Sequence, residues 1–202
     1  MTGWDRALIA SARVWLPTIL AVAIAQTLLV LADPVPVASP ATVILALASG
    51  SAFALGLWLV SRALGLAVDD QPVRWRTVLT AHPALLWAIV VVVLLVLLAL
   101  LSPYLTLLGL WFGLLGMPAV SAGASNPFAA AAETIRRAPV RVILGALAVA
   151  VAWALCAIGM LLLGFLVTGP LSVALTWLAV GVVGTVFLAG WTALYRRARI
   201  TA

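Results

Sequence analysis

The chain has 202 residues, 66% of them hydrophobic and only 8% charged, and its mean hydropathy is +1.30. A soluble domain carries about 25% charged residues, so this composition excludes both a water-soluble globule and a disordered chain. Eleven basic against five acidic residues give a net charge of +6. Every basic residue is arginine, and in so apolar a chain that charge reads as topology and headgroup anchoring, with no nucleic-acid partner.

A membrane-crossing helix needs about 20 mostly apolar residues. Six stretches answer to that, two of them short: 14–32, 41–64, 84–101, 104–120, 142–167 and 171–195. Arg6 and Arg13 precede the first, which carries Gln26 at depth and ends near Asp33. Val30-Leu31-Ala32 also resembles a signal-peptide cleavage site, but the apolar run exceeds the usual 7–15 residues of such a segment. Fourteen of the eighteen residues in 84–101 are Leu, Val or Ile. On the insertion scale those fourteen favour the bilayer by about 4 to 8 kcal/mol. Ser102-Pro103 breaks that helix and sets up a tight hairpin with 104–120. Thr168-Gly169-Pro170 gives the turn between the last two spans.

The arginines then sort onto one side. Arg62, Arg74 and Arg76 lie between spans two and three; Arg136, Arg137 and Arg141 lie between spans four and five; Arg196, Arg197 and Arg199 follow span six. The three opposite connections carry no basic residue, and Asp33 is their one formal charge, placed to mark the end of span one. The positive-inside rule makes the arginine side cytoplasmic, with both termini inside and the chain a single multi-pass domain over 1–202 of a cell (inner) membrane. Arginine without lysine, with abundant Ala, Val and Leu, points to a GC-rich bacterial genome.

A repeated unit is also visible. Residues 73–83 (VRWRTVLTAHP) and 129–139 (AAAAETIRRAP) each lead through proline into a long span. In the first, Trp75, Val78, Leu79 and His82 share a helical face; in the second, Phe128, Ala131, Ala132 and Ile135 do. Asn126 is placed as helix N-cap with Pro127 at N1. In a looser third copy Leu8 and Ile9 align with Val78 and Leu79. The expected fold is therefore all-α: six transmembrane helices in three hairpins, each preceded by a short cytoplasmic interfacial helix, N-in and C-in. Arg74, Arg76, Arg136, Arg137 and Arg141 are the candidate contacts to anionic lipid headgroups.

The run NPFAAAAETIRRAPVRVILGALAV, residues 126–149, resembles the entry-helix-plus-span element of the membrane domain found beside bacterial glycerophosphodiester phosphodiesterases. That resemblance implies a fold and no activity, because a phosphodiesterase would occupy a separate soluble barrel. It transfers no functional residues.

Small residues mark where helices approach closely: Ala46, Gly50 and Ala54; Gly109 and Gly113; Gly145, Ala148, Ala152, Cys156 and Gly159; Gly181 and Gly184. Span three lacks glycine and is placed on the lipid-facing rim. Trp15, Trp58, Trp75, Trp87 and Trp191 fit an aromatic belt near the cytoplasmic boundary, while Trp111, Trp153 and Trp177 are deeper, in packed core or lining a cavity.

Catalytic constellations are sought and not found. No ionisable residue sits mid-span, which disfavours proton-coupled transport, and Gln26 is read as an interhelical hydrogen-bonding residue. One histidine, His82, and one cysteine, Cys156, make no conventional zinc site or disulfide. No HExxH, P-loop or GxGxxG occurs, so no metal, nucleotide or other cofactor is expected. Asp69-Asp70 is the one acidic pair and reads as a solvated turn. The leading expectation is a non-catalytic scaffold or accessory subunit in envelope or lipid processes, with a membrane-complex partner. The alternatives are a permease subunit moving an apolar or amphipathic substrate with a separate ATPase, and a lipid-modifying enzyme using Asp69 and Asp70.

Overall fold

The computed structural model describes residues 3–32, 39–80, 83–101, 116–124, 126–166 and 169–200, and every regular element among them is helical. The elements are α1 (Gly3–Ala32), α2 (Pro40–Val68), α3 (Trp75–Val78), α4 (Ala84–Leu101), α5 (Pro127–Arg137), α6 (Pro139–Leu166) and α7 (Pro170–Ile200), with a further helical stretch over 116–121. Among the described residues four helical stretches are long and apolar enough to cross a membrane: Trp4–Leu31, Pro40–Val68, Pro139–Gly159 and Pro170–Ala198. The expected third span is the 18-residue α4, whose apolar stretch Ala84–Leu98 is shorter than those four. Most of the expected fourth span, with Gly109, Trp111, Gly113 and the Ser102-Pro103 hairpin, lies outside the described residues.

Local chemistry sets the helix ends. The Ser39 hydroxyl accepts from the Thr42 amide at 3.2 Å, and Pro40 fills the first helical position of α2, where no amide donor is needed. The same helix closes at Asp69 with Asp70 in the left-handed region (φ 54°), and the Gln71 amide donates back to the Leu66 carbonyl at 2.9 Å. Asn126 caps α5 through its side-chain oxygen, 3.0 Å from the Ala129 amide, with Pro127 behind it as expected. Gly169, at φ 78°, turns the chain into Pro170 and α7.

Two expectations are corrected. First, α1 is one continuous helix from Gly3 to Ala32, so the first span has no separate interfacial helix before it. Nothing between Ala10 and Val14 breaks a helix, and Pro17 is carried inside it. Membrane helices tolerate such a proline because nearby groups take up the freed backbone. Second, the amphipathic helix expected over 73–83 is a single turn, Trp75–Val78. Val78 is buried, but Trp75 is 41% and Leu79 is 55% exposed, so the expected face does not pack as a unit. The Thr80 hydroxyl donates to the Thr77 carbonyl at 2.8 Å just past the turn, and a helix this short has no cooperative support. His82 lies outside the described residues.

The first and last helices pack along each other, and α1 also lies along α2. On its other side α2 meets α4 through Trp58, Val91 and Val92. α4 buries Ala84, Ala88, Val91 and Val92 and exposes Val90, Val93, Val96 and Leu97, a one-sided burial. At the arginine-bearing end α5 rests on α7: Ala131 and Ile135 pack against Val142 and Trp191. Much of the remaining surface is bare hydrocarbon, with Ile44, Leu47, Leu147, Leu155 and Leu161 all more than half exposed. A bilayer is the solvent that surface fits.

Candidate functional site

Three buried hydroxyls in the bundle are met by their own helices. Ser11 donates to the Ala7 carbonyl (2.6 Å), Thr18 to Val14 (2.7 Å) and Thr192 to Leu188 (2.6 Å). The one long polar side chain at depth, Gln26, is 4% exposed and doubly paired: its Nε2 donates to the Ser49 carbonyl at 3.0 Å and its Oε1 accepts from the Ser49 hydroxyl at 2.7 Å. It links α1 to α2 through both the nitrogen and the oxygen of its amide.

What these contacts frame is an apolar cavity of about 360 Å³ among α1, α2, α4, α6 and α7. Its wall holds Ile19 and Val22 of α1, Phe53, Leu57 and Val60 of α2, Leu95 of α4, Val149 and Cys156 of α6, and Trp177, Val180, Phe187 and Leu188 of α7. Phe53 and Trp177 meet across it with ring centroids 6.0 Å apart. Three threonines interrupt the hydrocarbon, and two of them, Thr18 and Thr185, donate to their own helix, the latter to the Gly181 carbonyl at 2.8 Å.

Glycine sets the shape of the cavity. A Cβ at Gly56 would lie 2.8 Å from Val22 Cγ2, and one at Gly181 would lie 2.5 Å from Ile19 Cγ2. Both distances are shorter than van der Waals contact, so only glycine lets α1 seat against α2 and α7. Gly184, one turn from Gly181, is different: a Cβ there meets no atom within 4 Å. It opens onto the void.

The five candidate headgroup arginines, Arg74, Arg76, Arg136, Arg137 and Arg141, are all exposed. Arg136, Arg137 and Arg141 share the α5–α6 corner, whereas Arg74 and Arg76 sit an element away on and beside α3. Arg137 is committed within the fold: its Nε donates to Glu133 at 2.6 Å and its Nη1 to the Ala198 carbonyl at 2.8 Å, tying α5 to the end of α7.

Sequence reasoning missed a second group at this end. Arg196 of α7 forms an ion pair with Asp69 at the end of α2. Arg62 reaches the Ser121 carbonyl at 3.4 Å, and the Ser61 and Ser121 hydroxyls bond at 2.8 Å. Residues as far apart as Arg62, Asp69, Ser121, Arg137 and Arg196 therefore collect at one end of the bundle. The signal available in the sequence was that Arg62 and Asp69 lie seven residues apart, on one face of α2. Asp69 is thus engaged with Arg196, while Asp70 occupies the left-handed turn position.

The aromatic-belt reading fails for two residues. Trp58 (6% exposed) and Trp191 (5%) are core, the latter because Gly145 leaves room for its ring, 3.2 Å from where a Cβ would sit. Trp75 remains at the surface, and Trp87 stands edge-on to Phe128 at 5.1 Å, backed by Gly116. The side chain of Trp153 lies outside the described residues. Among the described residues no group of three or more His, Cys, Asp or Glu converges as a metal site would require. No family model, curated protein or solved structure matches this chain.

Proposed function

We propose that the chain is a non-catalytic, multi-pass protein of the cell membrane, an accessory subunit or scaffold in envelope or lipid processes. In this reading six helices cross the bilayer, both termini are cytoplasmic, and the arginine end faces an anionic leaflet. The observation that carries it is the division of labour along the bundle. Two of the described carboxylates, Asp69 and Glu133, are taken up in ion pairs with Arg196 and Arg137, and Asp70 is held at a left-handed turn position. The interior offers hydrocarbon, with the Thr18 and Thr185 hydroxyls satisfied by their own helices. Such an interior holds or positions apolar material, and among the described residues the Cys156 thiol in its wall has no acid or base partnered with it for group transfer.

Purification from the native membrane in mild detergent, followed by mass spectrometry of what remains bound, tests the role. A stoichiometric protein partner is the expected result; hydrolysis or transfer by the purified chain alone overturns it. A second reading, a permease subunit working with a separate ATPase, draws on one observation, the cavity in the bundle interior. It requires that the partner recovered be a P-loop ATPase.

A further inference from the structure

We infer that the cavity is a binding site for one acyl chain of a membrane lipid. The inference deepens the lipid role proposed above and rests on the bilayer placement in that reading.

Size is the first argument. An engineered apolar cavity of about 150 Å³ takes up benzene and stays free of water, and this cavity, at about 360 Å³, is more than twice as large. Were it left empty, the residues that line it would forfeit the dispersion contacts on their bare side. Shape is the second. Along α7 the wall runs from Thr176 to Leu188, and at 1.5 Å per residue that is a length of about 18 Å. One leaflet of hydrocarbon is about 15 Å deep, half of a core of about 30 Å. The cavity therefore has the reach of one lipid tail.

Chemistry is the third argument. Thr18 and Thr185 are bonded to their own helices, and beyond them the wall is almost wholly hydrocarbon, with the Thr176 hydroxyl and the Cys156 thiol as its other polar groups. A sugar, nucleotide or peptide would lose its hydrogen bonds to water here without replacement. An acyl chain loses nothing, and it is the apolar species present at the highest concentration around a bilayer protein.

Gly184 supplies the test, because a side chain added there enters the void without meeting a neighbour within 4 Å. Gly159, on α6 and outside the cavity wall, also has open space around its would-be Cβ and serves as the matched control. The chain and its G184F and G159F variants are extracted from phosphatidylglycerol–phosphatidylethanolamine vesicles and examined by native mass spectrometry. The wild-type chain and G159F are expected to retain one phospholipid, and G184F to show occupancy lower by about ten-fold or more.

A second measurement does not depend on G184F folding. Phosphatidylglycerol with a dibrominated acyl chain, titrated into delipidated wild-type chain in detergent, is expected to quench tryptophan emission, and Trp177→Phe to remove part of that quenching. A wild-type chain without bound lipid, equal occupancy in G184F and G159F, or quenching indifferent to Trp177→Phe overturns the proposal. A chain that inserts in vesicles yet retains no lipid defeats the cavity site alone; a chain that fails to insert defeats the membrane reading as well.

Discussion

At the level of single residues, the bundle is held by a few positions where one atom decides the packing. Gly181 is the clearest. Its neighbour Ile19 is β-branched and meets the would-be Cβ with its Cγ2, Cγ1 and Cβ at 2.5, 3.1 and 3.3 Å, and a stiff χ1 leaves it little room to withdraw. Gly181→Ala is therefore expected to destabilise by about 1–3 kcal/mol, the usual cost of overpacking, read as a lower unfolding midpoint in detergent. Gly184→Ala, three residues on, is expected to leave the midpoint unchanged or raise it, since it meets nothing. A drop of equal size at both positions would show that the difference between the two sites is not real.

The Gln26–Ser49 pair makes a second test at this scale. A double-mutant cycle with Gln26→Leu and Ser49→Ala is expected to return a coupling of about 0.6 kcal/mol, rising toward about 1.7 in the best geometry. Zero coupling would mean that the Ser49 hydroxyl does not donate to Gln26 in the membrane, since the bond to the Ser49 backbone carbonyl survives Ser49→Ala. Asp69→Asn, by contrast, removes the partner of a partly exposed arginine. Its expected cost is at most about 1 kcal/mol, as for other ion pairs open to water. A variant that lost an activity while keeping its stability would instead revive the lipid-modifying enzyme.

Among the elements, what could be read in advance was whatever a short stretch of sequence decides alone. Asn126-Pro127 announced the start of α5 because a cap needs only a side-chain oxygen and an amide three residues on. The crossing length of α1, α2, α6 and α7 followed from their hydropathy for the same reason. The continuity of α1 did not, because Arg6 and Arg13 mark a polar segment before the span without showing whether the helix bends or runs straight between them and Val14. Nor did the single turn of α3, where periodicity promised a face but no neighbour beyond Val78 buried it. The cavity was the least legible feature. Five elements line it, and although Gly181 and Gly184 stood out as small residues, only their surroundings reveal that one is a tight contact and the other an opening. Asn126→Ala is expected to cost about 1 kcal/mol, seen most directly as faster hydrogen exchange at the Ala129 amide. Unchanged exchange there would mean that α5 is held only by its packing on Trp191.

For the whole molecule, charge placement governs orientation. Arg62, Arg137 and Arg196 gather at one end with Asp69 and Ser121, and it is this end that the proposed topology sets in the cytoplasm under the positive-inside rule. A fluorescent reporter fused after Ala202 is expected to be bright and an alkaline phosphatase fused there silent, with the reverse for insertions between residues 33 and 40. Phosphatase activity at the C-terminal fusion would invert the proposed topology.

The contact of Ile19 with Gly181 bears on how the chain is made. These residues are separated by 162 positions, so α1 enters the membrane long before the helix it rests on has been synthesised. Until α7 emerges from the ribosome, α1 has α2 beside it and a face that only lipid covers. Packing of α7 on α1 therefore waits until both helices have been made, and α1 spends that interval without this partner. Chains released before that point would present the Ile19 face of α1 to whatever surveys the membrane for unfinished proteins.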